Sequence, residues 1–100
     1  MLVVAGTISI DPANQDAAIA AAKEVAEETH KESGNISYAF SSDLSEAGVF
    51  HIFEEWESQE ALDAHFQSPH MAKFQGALGG LGVKGMNVQR YQVSSVGPLR

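Results

Sequence analysis

Apolar side chains fall on both faces of the first and third extended stretches of this chain, and that restricts what it can fold into. In Leu2 to Ile10, residues Leu2, Val4, Ile8 and Ile10 share one face by alternation, while Val3, Ala5, Thr7 and Ser9 share the other. In Val49 to Trp56, Phe50, Ile52, Glu54 and Trp56 face one way, and Val49, His51, Phe53 and Glu55 the other. Strands of this kind need cover on both sides. One layer of helices covers one face of a sheet, and 100 residues do not supply a second layer. A second copy of the chain is the economical cover, so a homodimer is expected.

The connections between these strands are legible from caps and periods. Asp11-Pro12 places a capping aspartate before a proline suited to the first helical position. It predicts a helix to about Glu32, with Ala18, Ala22, Val25 and Thr29 as the buried stripe, widened by Ile19 and Ala26. Lys23, Glu24, Glu27, Glu28 and Lys31 make a solvated face, with Glu27 and Lys31 spaced as an i,i+4 pair, and Gly34 is the expected stop. His30, in the last turn, should face water and complement the helix end. Ile36, Tyr38 and Phe40 mark a second strand over Asn35 to Ser42, and Asp43 to Gly48 turns it into Val49 to Trp56 as a hairpin.

Ser58 can cap a short helix from Gln59 to about Gln67, with Leu62 and Phe66 turned inward. Ser68-Pro69 repeats the signal and starts another helix, whose inward stripe is Met71, Phe74 and Leu78. Gly76 to Gly85 reads as a flexible connection, and Lys84 to Val93 as the last strand, with Met86 and Val88 on one face. The order strand, helix, strand, strand, helix, strand defines an α+β class: a single ferredoxin-like βαββαβ domain over residues 1–100. Its four-stranded antiparallel sheet should have the first and third strands in the middle. Gly6, inside the first strand, marks close approach of a ligand or of another backbone.

Composition removes several classes of function. The net charge is −7 with only 6 Lys and Arg, which argues against a nucleic-acid backbone or an anionic membrane surface as partner. The absence of Cys rules out disulfides, thiolate nucleophiles and zinc-thiolate sites, and it fits a reducing cytoplasm. Met1 to Pro12 lacks the basic region of a secretory signal, and no apolar run approaches the roughly 20 residues that span a bilayer. His65 and His70 are five apart with Pro69 between them, so the i,i+4 spacing of helical metal ligands is missing and no metal site is expected. GLGVKG, at Gly80 to Gly85, satisfies a dinucleotide pattern but follows a helix and opens a strand, which is the wrong context for holding a pyrophosphate.

The candidate chemistry gathers in Val49 to His70, which holds the only Trp and three of the four His. Alternation brings Glu54 and Trp56 to one face, and the following helix can bring His65 back over the sheet. An imidazole suits proton transfer with a phenol or an enol, the carboxylate can orient it or share its proton, and the indole can wall an aromatic substrate. The same three residues suit plain core roles: a buried ring, a carboxylate satisfying backbone or Arg groups, and a histidine that holds its helix; the chain would then be a non-catalytic dimeric module that binds a small molecule. His51, on the opposite face, suits a dimer contact.

The pattern Phe50-x3-Glu54-x-Trp56, then Glu60-Ala61-Leu62, His65 and Ser68-x-His70, resembles the antibiotic biosynthesis monooxygenase (ABM) domain. The resemblance covers nearly the whole chain. It implies a homodimer of ferredoxin-like units, of the dimeric α/β barrel type, that oxidises a small quinol or phenol with dioxygen and no cofactor. It implies His65 as base or orienter, with Trp56 and Glu54 shaping the site and Tyr38, Phe50, His70 and Phe74 binding substrate. Haem-degrading relatives use an Asn on the first strand and a Trp on the short helix. Here that strand has no Asn and His65 takes the place of the Trp, which argues against haem as substrate. Other relatives isomerise small phosphorylated keto compounds. For an anionic ligand of that kind, Lys73, Lys84 and Arg90 are the cations in reach.

Overall fold

The two short helices each begin where a serine side chain can take up a free backbone N–H. In the computed structural model, which describes residues 1–100, Ser58 Oγ accepts from the Ala61 N–H at 3.1 Å and Ser68 Oγ from the Met71 N–H at 3.2 Å. These caps start α2 (Gln59–Phe66) and α3 (Pro69–Leu78), the latter with its proline in the first turn. Asp11 also caps, through the Ala13 N–H at 3.0 Å, but what it caps is a single 3-10 turn, Pro12–Asn14. The α-helix proper, α1, runs from Gln15 to Thr29 and buries Ala18, Ala22, Val25 and Thr29 as expected.

The expected ends of two helices need correction. α1 stops at Thr29 rather than near Glu32, and Lys31 pairs with Glu28 at 3.2 Å rather than with Glu27. His30, at that end, is not merely solvated: its Nε2 lies 2.9 Å from the Tyr38 carbonyl. α3 continues through Gly76 to Leu78, because Phe74 and Leu78 bury the same face. The connection to the last strand is therefore short, and Leu81 within it is buried.

The strands are β1 (Leu2–Ile10), β2 (Asn35–Ser42), β3 (Val49–Trp56) and β4 (Val83–Gln92). They form one antiparallel sheet in the order β2-β3-β1-β4, with the first and third strands in the middle. Gly6 serves the second purpose that its position suggested. A Cβ there would lie 1.9 Å from the Asn87 carbonyl oxygen, so only glycine lets β4 close on β1. Ile36 does not share the face of Tyr38 and Phe40. The β2–β3 register shifts between Asn35 and Ser37, and Ile36 is half exposed.

All three helices lie on one face of the sheet. Val25 of α1, Leu62 of α2 and Phe74 of α3 pack with Leu2, Val4, Tyr38 and Trp56 in one core cluster. A second cluster joins Ile8, Ile10, Ala18, Phe50, Ile52 and Leu81. Each large apolar side chain buried this way stabilises the fold by about 1.5–3 kcal/mol. The opposite face has no helix: Phe53 is 46% exposed and Tyr91 49%.

Candidate active site

Strand register sets the floor of the site. Tyr38 pairs with Glu54, Glu54 with Val4, and Val4 with Arg90, so these four side chains form one row across all four strands on the helix-facing side. The next row is Phe40, Ile52, Gly6 and Val88, without a charge. Between this floor and the helices α2 and α3 lies a hollow of about 460 Å³. Leu62, Phe66, Met71, Phe74 and Leu78 roof it, and its polar groups include Tyr38, Glu54, Gln59, Gln75 and Arg90. Phe66 is half exposed at the mouth rather than turned into the core.

Glu54 is the one acid in the hollow, and it is only 7% exposed. Two residues on, on the same face of β3, Trp56 donates its indole N–H to Glu54 Oε1 at 2.9 Å. Burial pushes the carboxyl up to about 7, the Trp56 hydrogen bond pulls it back in part, and the charge of Glu32 pushes it up further. Across the ladder, burial first and then the charges of Glu54 and Glu32 raise the Tyr38 phenol above its ordinary value. The hollow therefore holds a carboxyl poised near neutrality beside a phenol that stays protonated.

His65 and Trp56 stand behind this pair. Trp56 is fully buried and His65 is 1% exposed, and neither lines the hollow. The two rings pack with centroids 4.8 Å apart, and His65 also meets Tyr38 edge-on at 5.5 Å. His65 Nδ1 lies 2.6 Å from Glu32 Oε2, and His70 Nε2 lies 2.7 Å from the same oxygen. An ionised carboxylate can only accept, so both imidazoles present an N–H to it. In its neutral form His65 then leaves Nε2 as a bare acceptor, buried and without a partner.

Glu32, His65 and His70 bring three potential metal-ligating atoms within 4.8 Å of one another, which the sequence spacing did not suggest. The arrangement fits a hydrogen-bonded clamp better than a metal centre. A metal on His65 Nδ1 would leave an Nε2–H buried with no acceptor, whereas ligating imidazoles normally donate that proton to an outer partner.

Of the residues expected at the site, Glu54, Tyr38 and Phe74 line the hollow. Phe50 is 6% exposed and packs in the second core cluster, away from it. His70 lines a separate small cleft between α1 and α3, with Lys73. Of the three cations considered for an anionic ligand, Arg90 alone reaches the hollow. Glu32 and Gln59 were not anticipated. The only signal for Glu32 was a carboxylate two residues before Gly34, the expected helix stop, and many such residues are plain solvent contacts.

The sequence profile of the antibiotic biosynthesis monooxygenase family matches residues 1–77 of this chain. The chain belongs to that family. This ABM chain is 34% identical over 98 residues to an uncharacterised protein of Synechocystis sp., spanning 98% of this chain and 67% of that one. Its fold is similar to that of a candidate antibiotic biosynthesis monooxygenase from Deinococcus radiodurans, with a TM-score of 0.92 and 26% identity over 100% of this chain and 99% of that one. A conserved protein from Methanosarcina mazei matches with a TM-score of 0.84 and 25% identity, over 91% of this chain and 90% of that one. No helix of this ABM chain is long and apolar enough to cross a membrane. Its β4, with Arg90, lies beyond the segment matched by the family profile.

Proposed function

We propose that this chain oxidises a small quinol or phenol with dioxygen, with Glu54 as the proton acceptor and no cofactor. The observation that carries this reading is a single carboxyl, raised to about 7, facing an apolar hollow of about 460 Å³. A base near the working pH is the efficient one for taking a proton from a phenol. Once deprotonated, the electron-rich ring passes an electron to dioxygen and is its own reductant. One oxygen atom enters a ring carbon and the other leaves as water, so that hydroquinone and dioxygen give hydroxyquinone and water. Tyr38, kept protonated, donates a hydrogen bond to the substrate oxygen. His65 is a positioning residue: it backs the indole that holds Glu54.

Metal-free protein should consume oxygen with hydroquinones in stoichiometry with the quinone formed. Turnover that continues unchanged without oxygen would overturn the oxygenase reading. It would favour the second one, proton transfer on an enolisable keto compound, for which the same carboxyl would serve and which Arg90 suits if the substrate is an anion.

We also propose that two copies pack through the helix-free sheet face, where Val3, Ala5, Phe53 and Tyr91 lie. Light scattering at micromolar concentration should give about twice the 10.7 kDa chain mass, and the chain mass itself would refute the dimer.

A further inference from the structure

We propose that the substrate carries a carboxylate on its aromatic ring and that Arg90 binds it. This inference rests on the reading of the hollow as a site for a phenol or quinol, and it goes further by naming the second polar group of the ligand.

Arg90 is the one cation lining the hollow, and it forms no ion pair. Its guanidinium donates to the neutral side chain of Gln59, at the start of α2, and to no other protein group. The chain carries 13 acidic residues, and Glu28 and Glu24 take up Lys31 and Lys73. None of them neutralises Arg90. A guanidinium has five N–H donors in a rigid fork, so most of this one's donors are open to solvent or ligand at the edge of the hollow. A bound anion can take up these donors without first displacing a protein carboxylate.

The register gives the spacing. Glu54 and Arg90 stand on either side of Val4 in one row, two strand spacings or about 10 Å apart at their Cα atoms. An aromatic ring lying over Val4 can place a hydroxyl at Glu54 and a carboxylate at Arg90. The reverse pose brings two carboxylates together and leaves the guanidinium facing a hydroxyl, so charge alone fixes the orientation. One guanidinium matches one carboxylate in charge as well as through two parallel N–H bonds, whereas a phosphate dianion would keep one charge uncompensated. Lys73 and Lys84 do not reach the hollow.

The test is calorimetric titration with 4-hydroxybenzoate and with its methyl ester, neither of which requires turnover. The acid should bind wild type about tenfold or more tightly than the ester, and Arg90→Gln should abolish that difference while changing the ester by less than about twofold. Arg90 is exposed on an edge strand, so the substitution leaves the core intact. Equal affinity for acid and ester, no binding of either, or an unchanged preference in Arg90→Gln would overturn the assignment. Displacement of the acid by inorganic phosphate at a lower concentration than the acid itself would replace the carboxylate with a phosphate. With 2,5-dihydroxybenzoate as oxidisable substrate, Arg90→Gln should raise KM about tenfold and leave kcat within about twofold. Absence of oxygen uptake would count against the proposed reaction, and the titration would still decide the role of Arg90.

Discussion

Replacing Glu54 by Gln should lower kcat for quinol oxidation by about 10²- to 10⁴-fold, the usual worth of a general base, and at the same time make the protein more stable above neutral pH. Both effects come from one cause. The Glu54 carboxyl sits at about 7 in the folded chain, against 4.5 for the unperturbed group. Between those values the folded state binds more protons than the unfolded state. The stability contributed by the protonated form is therefore fully present below about 4.5 and is lost as pH rises through about 7. The loss is up to about 1.4 kcal/mol per pH unit across that window. Gln offers the indole of Trp56 the same kind of acceptor and cannot ionise. Urea midpoints at pH 5 and pH 8 should differ in wild type and converge in Glu54→Gln. The wild-type rate should rise with pH through about 7, where the carboxyl becomes a base. A variant that keeps its kcat would remove Glu54 from the mechanism, whatever its stability.

Glu32→Ala should have the largest effect on stability among the residues near the site, about 2–4 kcal/mol. Glu32 Oε2 is the common partner of His65 and His70, and it ties the segment after α1 to α2 and α3. Without it, His65 keeps no hydrogen-bond partner on either ring nitrogen while remaining 1% exposed. Stranding a buried polar group in this way costs about 1–3 kcal/mol, and the second broken bond adds to it. For a chain of this size that corresponds to a fall in Tm of roughly 10–20 °C. Glu32→Gln keeps an acceptor and should lose about half as much. Trp56 is the only Trp and packs on His65, so its near-ultraviolet signal should change in Glu32→Ala before the helices unfold. A fall of less than about 1 kcal/mol would show that the imidazoles find other partners.

How much of this was legible in advance differs from element to element. The strands and the two Ser-capped helices could be read because alternation and capping are local: Ser58 and Ser68 need only the next three residues to act. The start of α1 was misplaced because Asp11-Pro12 fits the entry to a 3-10 turn as well as to an α-helix. The site was read in part. Glu54 beside Trp56 follows from a period of two. The fact that His65 would lie behind the indole rather than over the hollow depends on how α2 tilts against the sheet, which no local rule contains.

The sequence by itself determined the class of fold, the central place of the first and third strands, and the gathering of Glu54 and Trp56 on one face, because all of these follow from short-range periodicity and the handedness of connections. Only the tertiary structure decided that Tyr38, Glu54, Val4 and Arg90 share one row, that Glu32 clamps two histidines more than thirty residues away, and that a hollow opens above the row. Those contacts are set by strand register and by the packing of helices on the sheet. Both are global compromises among many side chains, and a slip of one residue in register would turn a strand residue such as Glu54 or Arg90 to the other face.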